Sequence, residues 1–201
     1  MTSSIKVSTL KRSLPLALIF QIGWVIVVII GLLFGMYLNI SLLILLLVTL
    51  WVPAALELIT RTKFPTVLHV NFSILLTIAS FMGSLFGVYA LIPHWDSFAH
   101  WYSGLLLAWL GLFAVKAVTD KTKGKVSIPR WFSIAVAIAT PLAFAALWEI
   151  CEFMSDTFLH THTQAGLQDT ILDMVSAGVG AIIAVLILVW FKAPKSVLPH
   201  L

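Results

Sequence analysis

Long apolar runs dominate this sequence and leave few folds open to it. Each run reaches the roughly 20 residues that an α-helix needs to cross a hydrocarbon core about 30 Å thick. The sequence has no long alternation of polar and apolar residues, which argues against a membrane β-barrel. We therefore predict an all-α, polytopic membrane protein, a bundle of six transmembrane helices at about 14–34, 40–59, 66–92, 97–118, 131–159 and 170–191.

The composition agrees with this class. Hydrophobic residues make up 61% of the chain and charged residues only 10%, and the mean hydropathy is +1.07. That is too little polar surface to cover a water-soluble globule. No repeat, low-complexity segment or long linker divides the chain, so we predict a single domain over residues 1–201.

The basic residues predict the orientation in the membrane. If the chain crosses six times, all twelve lysines and arginines fall on one side, and the positive-inside bias then places both termini in the cytoplasm. The formal charge of +4 is explained by topology, and we predict no nucleic-acid partner. The basic positions are Lys6, Lys11, Arg12, Arg61, Lys63, Lys116, Lys121, Lys123, Lys125, Arg130, Lys192 and Lys195.

Six of the eight carboxylates fall on the opposite side, near the ends of the last three predicted helices. Five of them and one histidine form pairs spaced three or four residues apart, so that each pair projects from one face of its helix. With a rise of about 1.5 Å per residue, all these residues lie roughly 24–34 Å from the basic ends of their helices, at one level. The pairs are Asp96 with His100, Glu149 with Glu152, and Asp169 with Asp173.

The negative charge of carboxylates gathered near lipid needs a compensating positive charge or a proton, because burying an ionisable group in a spanning helix costs at least a few kcal/mol of free energy. Either the acids share protons, or a bound cation supplies the positive charge. Carboxylates with one imidazole suit Mn²⁺, Fe²⁺ or Zn²⁺, and an all-oxygen subset suits Mg²⁺ or Ca²⁺. We therefore predict a divalent metal site, with Glu149 and Glu152 also as candidate catalytic bases. Its candidate ligands are Asp96, His100, Glu149, Glu152, Asp169 and Asp173.

Other interpretations of these residues remain open. A proton-sharing acidic site needs no metal, and acids at a helix boundary also serve in solvation or capping. Asp96 and Asp169 suit the capping role best, because an Asp at a helix start is an ordinary N-cap.

Three motifs in the second half of the chain carry a family resemblance. They read W-D-S-F-A-H-W-Y-S-G from Trp95, A-L-W-E-I-C-E-F from Ala146, and D-T-I-L-D-M-V-S-A-G-V-G-A from Asp169. The chain thereby resembles the YjdF family of predicted bacterial inner-membrane proteins and, more loosely, the VanZ-like proteins. The resemblance implies a multi-pass protein of the bacterial plasma membrane and supports the same six polar residues, but it carries no established activity.

Three functions fit this pattern. The first is a metal-dependent membrane enzyme that acts on a lipid-linked or cell-envelope substrate, with a metal-held water as nucleophile. The second is a transporter or solute-binding membrane subunit that uses the acids for a cation or for protons. The third is a non-catalytic accessory protein with a structural metal clamp. The lipid bilayer is the one certain partner, and the sequence predicts neither the substrate nor the oligomeric state.

Two smaller patterns carry structural predictions. Gly104, Ala108 and Gly111 form a small-residue stripe on the fourth helix, and a similar stripe on the sixth includes Gly180. Such stripes allow close backbone approach and would bring the acidic ends together. Glu57 and His69 are interpreted as interfacial polar groups, with Glu57 near enough to Arg61 for a helix-surface contact.

Overall fold

A computed structural model shows a helical chain and describes residues 2–122, 125 and 128–190. Within those residues no strand forms, which confirms the all-α prediction. The helices are α1 (Thr2–Leu33), α2 (Ile40–Thr49), α3 (Val52–Thr60), α4 (Thr66–Leu76), a π-helical continuation of α4 (Thr77–Leu85), α5 (Val88–Leu91), α6 (Trp95–Lys121), α7 (Arg130–Leu159) and α8 (Leu167–Trp190).

Six stretches of the described chain are long and apolar enough to cross a membrane, as predicted. They are Ser13–Leu33, Ile40–Thr60, Thr66–Leu85, Trp95–Lys121, Arg130–Leu159 and Leu167–Leu188. The orientation of these spans stays a prediction. Lys123, Lys192 and Lys195, and the predicted end of the last span at residue 191, lie outside the described residues.

The helices of the first half differ from their predicted bounds. α1 begins at Thr2, well before the apolar run, because a helix that satisfies its own backbone hydrogen bonds need not end where the hydrocarbon ends. The second span breaks between α2 and α3, where Pro53 occupies the first turn of α3; proline fits a first turn because its missing N–H is not needed there. The third span ends at Leu85, and Gly87 turns the chain with a φ of +69°.

The chain forms two compact units that divide between Trp95 and Asp96. The core of the first unit surrounds Trp24, whose ring stacks on Phe81 with a centroid separation of 4.9 Å. The indole Nε1 of Trp24 donates to Thr77 Oγ1 at 3.2 Å. The single-domain organisation over residues 1–201 stays a prediction.

The second unit contains α6, α7 and α8. Its core is made largely of small side chains that are fully buried, among them Ala108 of α6, Ala137 of α7 and Ala181 of α8. Larger apolar side chains, such as Leu112, fill the space between them. Because alanine adds little volume, the three backbones can approach closely and align their ends.

Candidate metal centre

The first two predicted ligands come from the start of α6. Asp96 lies in the first turn, and His100 follows one turn later on the same face. His100 Nε2 lies 3.7 Å from Asp96 Oδ1. As the four-residue spacing predicts, the His100 imidazole and the Asp96 carboxylate therefore lie on the same face of α6 and approach one another.

α8 supplies the third group to this point. Asp173 is 1% exposed, and its Oδ1 accepts a hydrogen bond from Ser97 Oγ at 3.3 Å. Asp96, His100 and Asp173 each offer one possible ligand atom, and these three atoms lie within 4.8 Å of one another. Among the described residues, this is the group of histidine and acidic side chains whose geometry suits a metal ion.

Glu149 adds a carboxylate to this cluster from α7, the remaining helix of the second unit. It is 6% exposed, and its Oε1 lies 4.0 Å from His100 Nε2. Its Oε2 accepts a hydrogen bond from Thr170 Oγ1 at 2.7 Å, whereas Oε1 is buried with no hydrogen-bond partner in the described chain. A buried carboxylate oxygen without a hydrogen-bond partner is costly. We call Asp96, His100, Glu149 and Asp173 the acidic centre.

The two remaining candidates lie beside the acidic centre. Glu152 is partly buried, and its Oε1 accepts a hydrogen bond from Trp148 Nε1 of the same helix at 2.9 Å. Asp169 lies in the first turn of α8 and is also partly buried. Glu152 interacts electrostatically with Glu149, Asp96 and Asp173. Asp169 interacts electrostatically with Asp96 and Asp173. They add negative charge around the centre without entering the group of ligand atoms.

Glycines bring the helices that carry the centre together. A Cβ added at Gly104 of α6 would collide with the backbone carbonyl of Ala177 on α8. One added at Gly180 of α8 would collide with the backbone of Trp101 and Leu105 on α6. The predicted stripes thus form a backbone contact between α6 and α8, a short distance along these helices from Asp96, His100 and Asp173.

The second unit has no positive side chain near the acidic centre among its described residues. Its described lysines and arginines are Lys116, Lys121, Lys125 and Arg130. Lys116 is twenty residues along α6 from Asp96, about 30 Å at the helical rise, and it pairs with Asp120 at 2.6 Å. The charge of the acidic centre is therefore not balanced by a basic residue of these helices.

Polar contacts around the centre include three residues that the sequence interpretation missed. Ser97 contacts Asp173, Thr170 contacts Glu149, and Gln164 Nε2 donates to Thr170 Oγ1 at 3.3 Å. Ser97 and Thr170 each immediately follow an acidic residue of the motifs, Asp96 and Asp169. Hydroxyls are common in spanning helices, so that adjacency alone does not single them out.

The connection between α7 and α8 is held by Asp156. Its Oδ1 accepts from the backbone N–H and the hydroxyl of Thr163, both at 2.8 Å. Its Oδ2 accepts from the backbone N–H of Gln164 at 3.0 Å. His160 and His162 of this connection are exposed and stand outside the group of possible ligands found among the described residues.

A second polar cluster lies in the first unit, where the surface setting expected for Glu57 was wrong. Glu57 is 0% exposed, and its Oε1 accepts from the backbone N–H of Phe64 at 2.5 Å. The same oxygen lies 3.2 Å from His69 Nε2. Because Arg61 has a left-handed φ of 53° at the end of α3, the chain turns sharply there and folds Phe64 and His69 back over Glu57.

Comparison with protein families assigns most of the chain to one family. A family model described as a predicted membrane protein (DUF2238) matches residues 15–194, so the chain belongs to that family. The match is consistent with the resemblance to the YjdF family, while the link to VanZ-like proteins and the bacterial origin stay expectations. Searches of curated proteins and of solved structures gave no match.

Proposed function

We propose that the acidic centre binds one divalent metal ion at the exoplasmic ends of α6, α7 and α8, and that the protein is a metal-dependent membrane enzyme. The observation that carries this proposal is the convergence of Asp96, His100 and Asp173 on one point. The buried Oε1 of Glu149, which lacks a hydrogen-bond partner in the described chain, supports it independently.

The spacing of these atoms suits a transition metal. Two ligands that each lie about 2.1 Å from an ion are at most about 4.2 Å apart. The separations of 3.7 Å and 4.0 Å from His100 Nε2 already meet that limit, and the possible ligand atoms of Asp96, His100 and Asp173 all lie within 4.8 Å of one another. One imidazole with several carboxylates favours Mn²⁺, Fe²⁺ or Zn²⁺ over Mg²⁺.

The exposure of the ligands favours a catalytic role over a closed structural clamp. The side chain of Asp96 is 32% exposed, whereas those of His100 and Glu149 are 9% and 7% exposed. A structural metal site is enclosed on all sides, and a catalytic one keeps a position for water or substrate. The side of the centre next to Asp96 is the candidate position for that water.

In this scheme Glu149 is a ligand and Glu152 is the general base. Glu152 lies nearly one turn further along α7 and is only partly buried, so it can exchange protons with solvent. A metal ion lowers the pKa of a bound water, and a neighbouring carboxylate can then remove its proton. Because the centre lies at the ends of lipid-exposed helices, a lipid-linked or cell-envelope substrate is the class that reaches it.

A transport function receives less support from the second unit. Between the acidic centre and the basic ends of the helices, α6, α7 and α8 carry no Asp, Glu, His, Lys or Arg. The core cluster there consists of alanine, leucine, isoleucine and valine, and its polar neighbours are hydroxyl residues such as Ser133 and Thr140. An ion or proton path along these helices would need ionisable groups at intervals.

Metal analysis of the purified protein tests the proposal. Wild-type protein, stripped with chelator and reloaded in detergent, should bind about one Mn²⁺ or Zn²⁺ per chain. The substitution Asp173→Asn should weaken binding at least roughly tenfold. Asparagine keeps the size of the side chain and the oxygen that accepts from Ser97, but it removes the charge.

Asp120→Asn is the matched control. Asp120 lies near the other end of α6, is exposed and pairs with Lys116, so the same chemical change there should leave metal binding unchanged. Absence of a bound metal in the wild type, or equal affinity in the two variants, would refute the metal centre. If metal binds but envelope lipids are not turned over, the structural clamp replaces the enzyme.

A further inference from the structure

Glu149 bridges two parts of the second unit, and its two carboxylate oxygens have different surroundings. Oε2 accepts a hydrogen bond from Thr170 of α8 at 2.7 Å. Oε1 has no hydrogen-bond partner in the described chain and faces His100 Nε2 at 4.0 Å. Fixing Oε2 fixes the plane of the carboxylate, so the contact with Thr170 decides where Oε1 points.

The direction of the Thr170 hydrogen bond is itself set by a third residue. Gln164 Nε2 donates to Thr170 Oγ1 at 3.3 Å. A hydroxyl has one proton and two lone pairs. With one lone pair occupied by the Gln164 amide, the hydroxyl proton is directed at Glu149, which as a carboxylate can only accept.

The backbone of Gln164 is anchored in turn. Asp156 Oδ2 accepts from the Gln164 backbone N–H at 3.0 Å, and Asp156 Oδ1 accepts from the Thr163 backbone N–H at 2.8 Å. The connection between α7 and α8 is thereby tied to the last turns of α7, and it presents the Gln164 side chain to Thr170. A series of contacts runs from Asp156 through Gln164 and Thr170 to Glu149.

We infer that Thr170 and Gln164 are positioning residues of the metal centre, which hold Glu149 so that its Oε1 is directed at the ion. The inference rests on the proposed metal centre and adds to it the residues that orient one ligand. Hydrogen bonds of this kind align a ligand before the metal arrives, and their loss typically costs about 10- to 100-fold in metal affinity.

The test measures Mn²⁺ affinity from the electron paramagnetic resonance signal of free Mn²⁺ in detergent-solubilised protein. Thr170→Val keeps the shape of the side chain and removes the hydroxyl, so the dissociation constant should rise about 10- to 100-fold. Thr170→Ser restores the hydroxyl and should return the constant to near the wild-type value. Gln164→Leu leaves the Thr170 hydroxyl in place but removes its orientation, and should give a smaller increase.

Thr140→Val is the matched control. Thr140 is a partly buried threonine of α7 whose hydroxyl donates to Val136 O at 2.7 Å, within its own helix. The same substitution there should change neither the affinity nor the spectrum of bound Mn²⁺, whereas Thr170→Val should change both. A purely structural role for Thr170 would lower thermal stability without altering the bound-metal spectrum.

The outcomes separate the two proposals. Wild-type protein that binds neither Mn²⁺ nor Zn²⁺ refutes the metal centre and with it this inference. Metal binding that is equal in wild type, Thr170→Val and Thr140→Val refutes the positioning role alone. If Thr170→Val does not fold, Gln164→Leu is compared with Thr170→Ser instead. Weaker Mn²⁺ binding in Gln164→Leu than in Thr170→Ser supports the inference. Equal Mn²⁺ binding in these two variants refutes it.

Discussion

Glu57 shows how a single buried carboxylate fixes a turn in the first unit. Its Oε1 accepts the backbone N–H of Phe64 and contacts His69 Nε2, while Ser73 Oγ donates to the His69 backbone carbonyl at 3.0 Å. The contacts of Glu57 connect the end of α3 to the start of α4 across the left-handed turn at Arg61, and the Ser73 hydrogen bond lies within α4. A buried acceptor of this kind stabilises the turn because its removal takes away the hydrogen bond from the Phe64 N–H and the contact with the His69 ring.

Substitution of Glu57 should therefore lower the stability of the protein. Glu57→Ala removes the oxygen that accepts from the Phe64 N–H and contacts the His69 ring, and should reduce the free energy of unfolding by about 2–5 kcal/mol. Glu57→Gln retains a carbonyl oxygen for the Phe64 N–H and should cost clearly less. Unfolding by sodium dodecyl sulfate, followed by circular dichroism, measures both.

The control for this prediction is an exposed hydroxyl of the same unit. Thr49 Oγ1 donates to Leu45 O at 2.8 Å on the surface of α2, so Thr49→Ala should change the free energy of unfolding by no more than about 0.5 kcal/mol. If Glu57→Ala and Glu57→Gln lower the free energy of unfolding equally, then the charge of Glu57, and not its hydrogen bond from the Phe64 N–H, stabilises the turn.

At the scale of helices, glycine contacts decide how closely α6 and α8 approach. The backbone of Trp101 and Leu105 occupies the space where a Cβ on residue 180 would lie. Gly180→Ala should force the two helices apart, at a cost of about 1–3 kcal/mol for overpacking. Because Asp173 and His100 lie on those same helices, the separation should also weaken Mn²⁺ binding, which titration of the purified variant measures.

Gly178 on the same helix supplies the comparison. A Cβ there meets only Leu142 Cδ2, the end of a flexible side chain, at 3.3 Å. Gly178→Ala should therefore be close to neutral, or stabilising by up to about 1 kcal/mol because alanine favours the helix. If the variants at 178 and 180 behave alike, the backbone contact does not control the distance between α6 and α8.

The apolar runs predicted the helix bounds of the second half more closely than those of the first half. α7 begins and ends within one residue of the predicted 131–159 span, because Pro129 and His160 mark its two ends in the sequence. The break between α2 and α3 is marked in the sequence by Pro53, which the hydropathy of the run conceals, and the π-helical geometry of Thr77–Leu85 has no change of hydropathy to mark it. Local backbone geometry of this kind depends on packing, which hydropathy does not record.

The acidic centre was predictable as a set of residues but not as a set of contacts. Helical spacing and depth placed Asp96, His100, Glu149 and Asp173 at one level, and the structure brings them together. The same reasoning grouped Glu152 and Asp169 with them, because rise per residue fixes height along a helix but not the direction in which a side chain turns. That direction depends on how each helix is rotated about its axis.

For the whole molecule, the remaining question is which side of the membrane the acidic centre faces. The positive-inside bias predicts that the connection between α6 and α7 is cytoplasmic and that the one between α7 and α8 is exoplasmic. In a Cys151→Ser background, which removes the chain's one native cysteine, Ala165→Cys should react with a membrane-impermeant maleimide on intact cells. Lys125→Cys should react only after the membrane is permeabilised. The reverse pattern would place the acidic centre at the cytoplasmic face. Labelling of both sites from outside would mean that α7 does not cross the membrane.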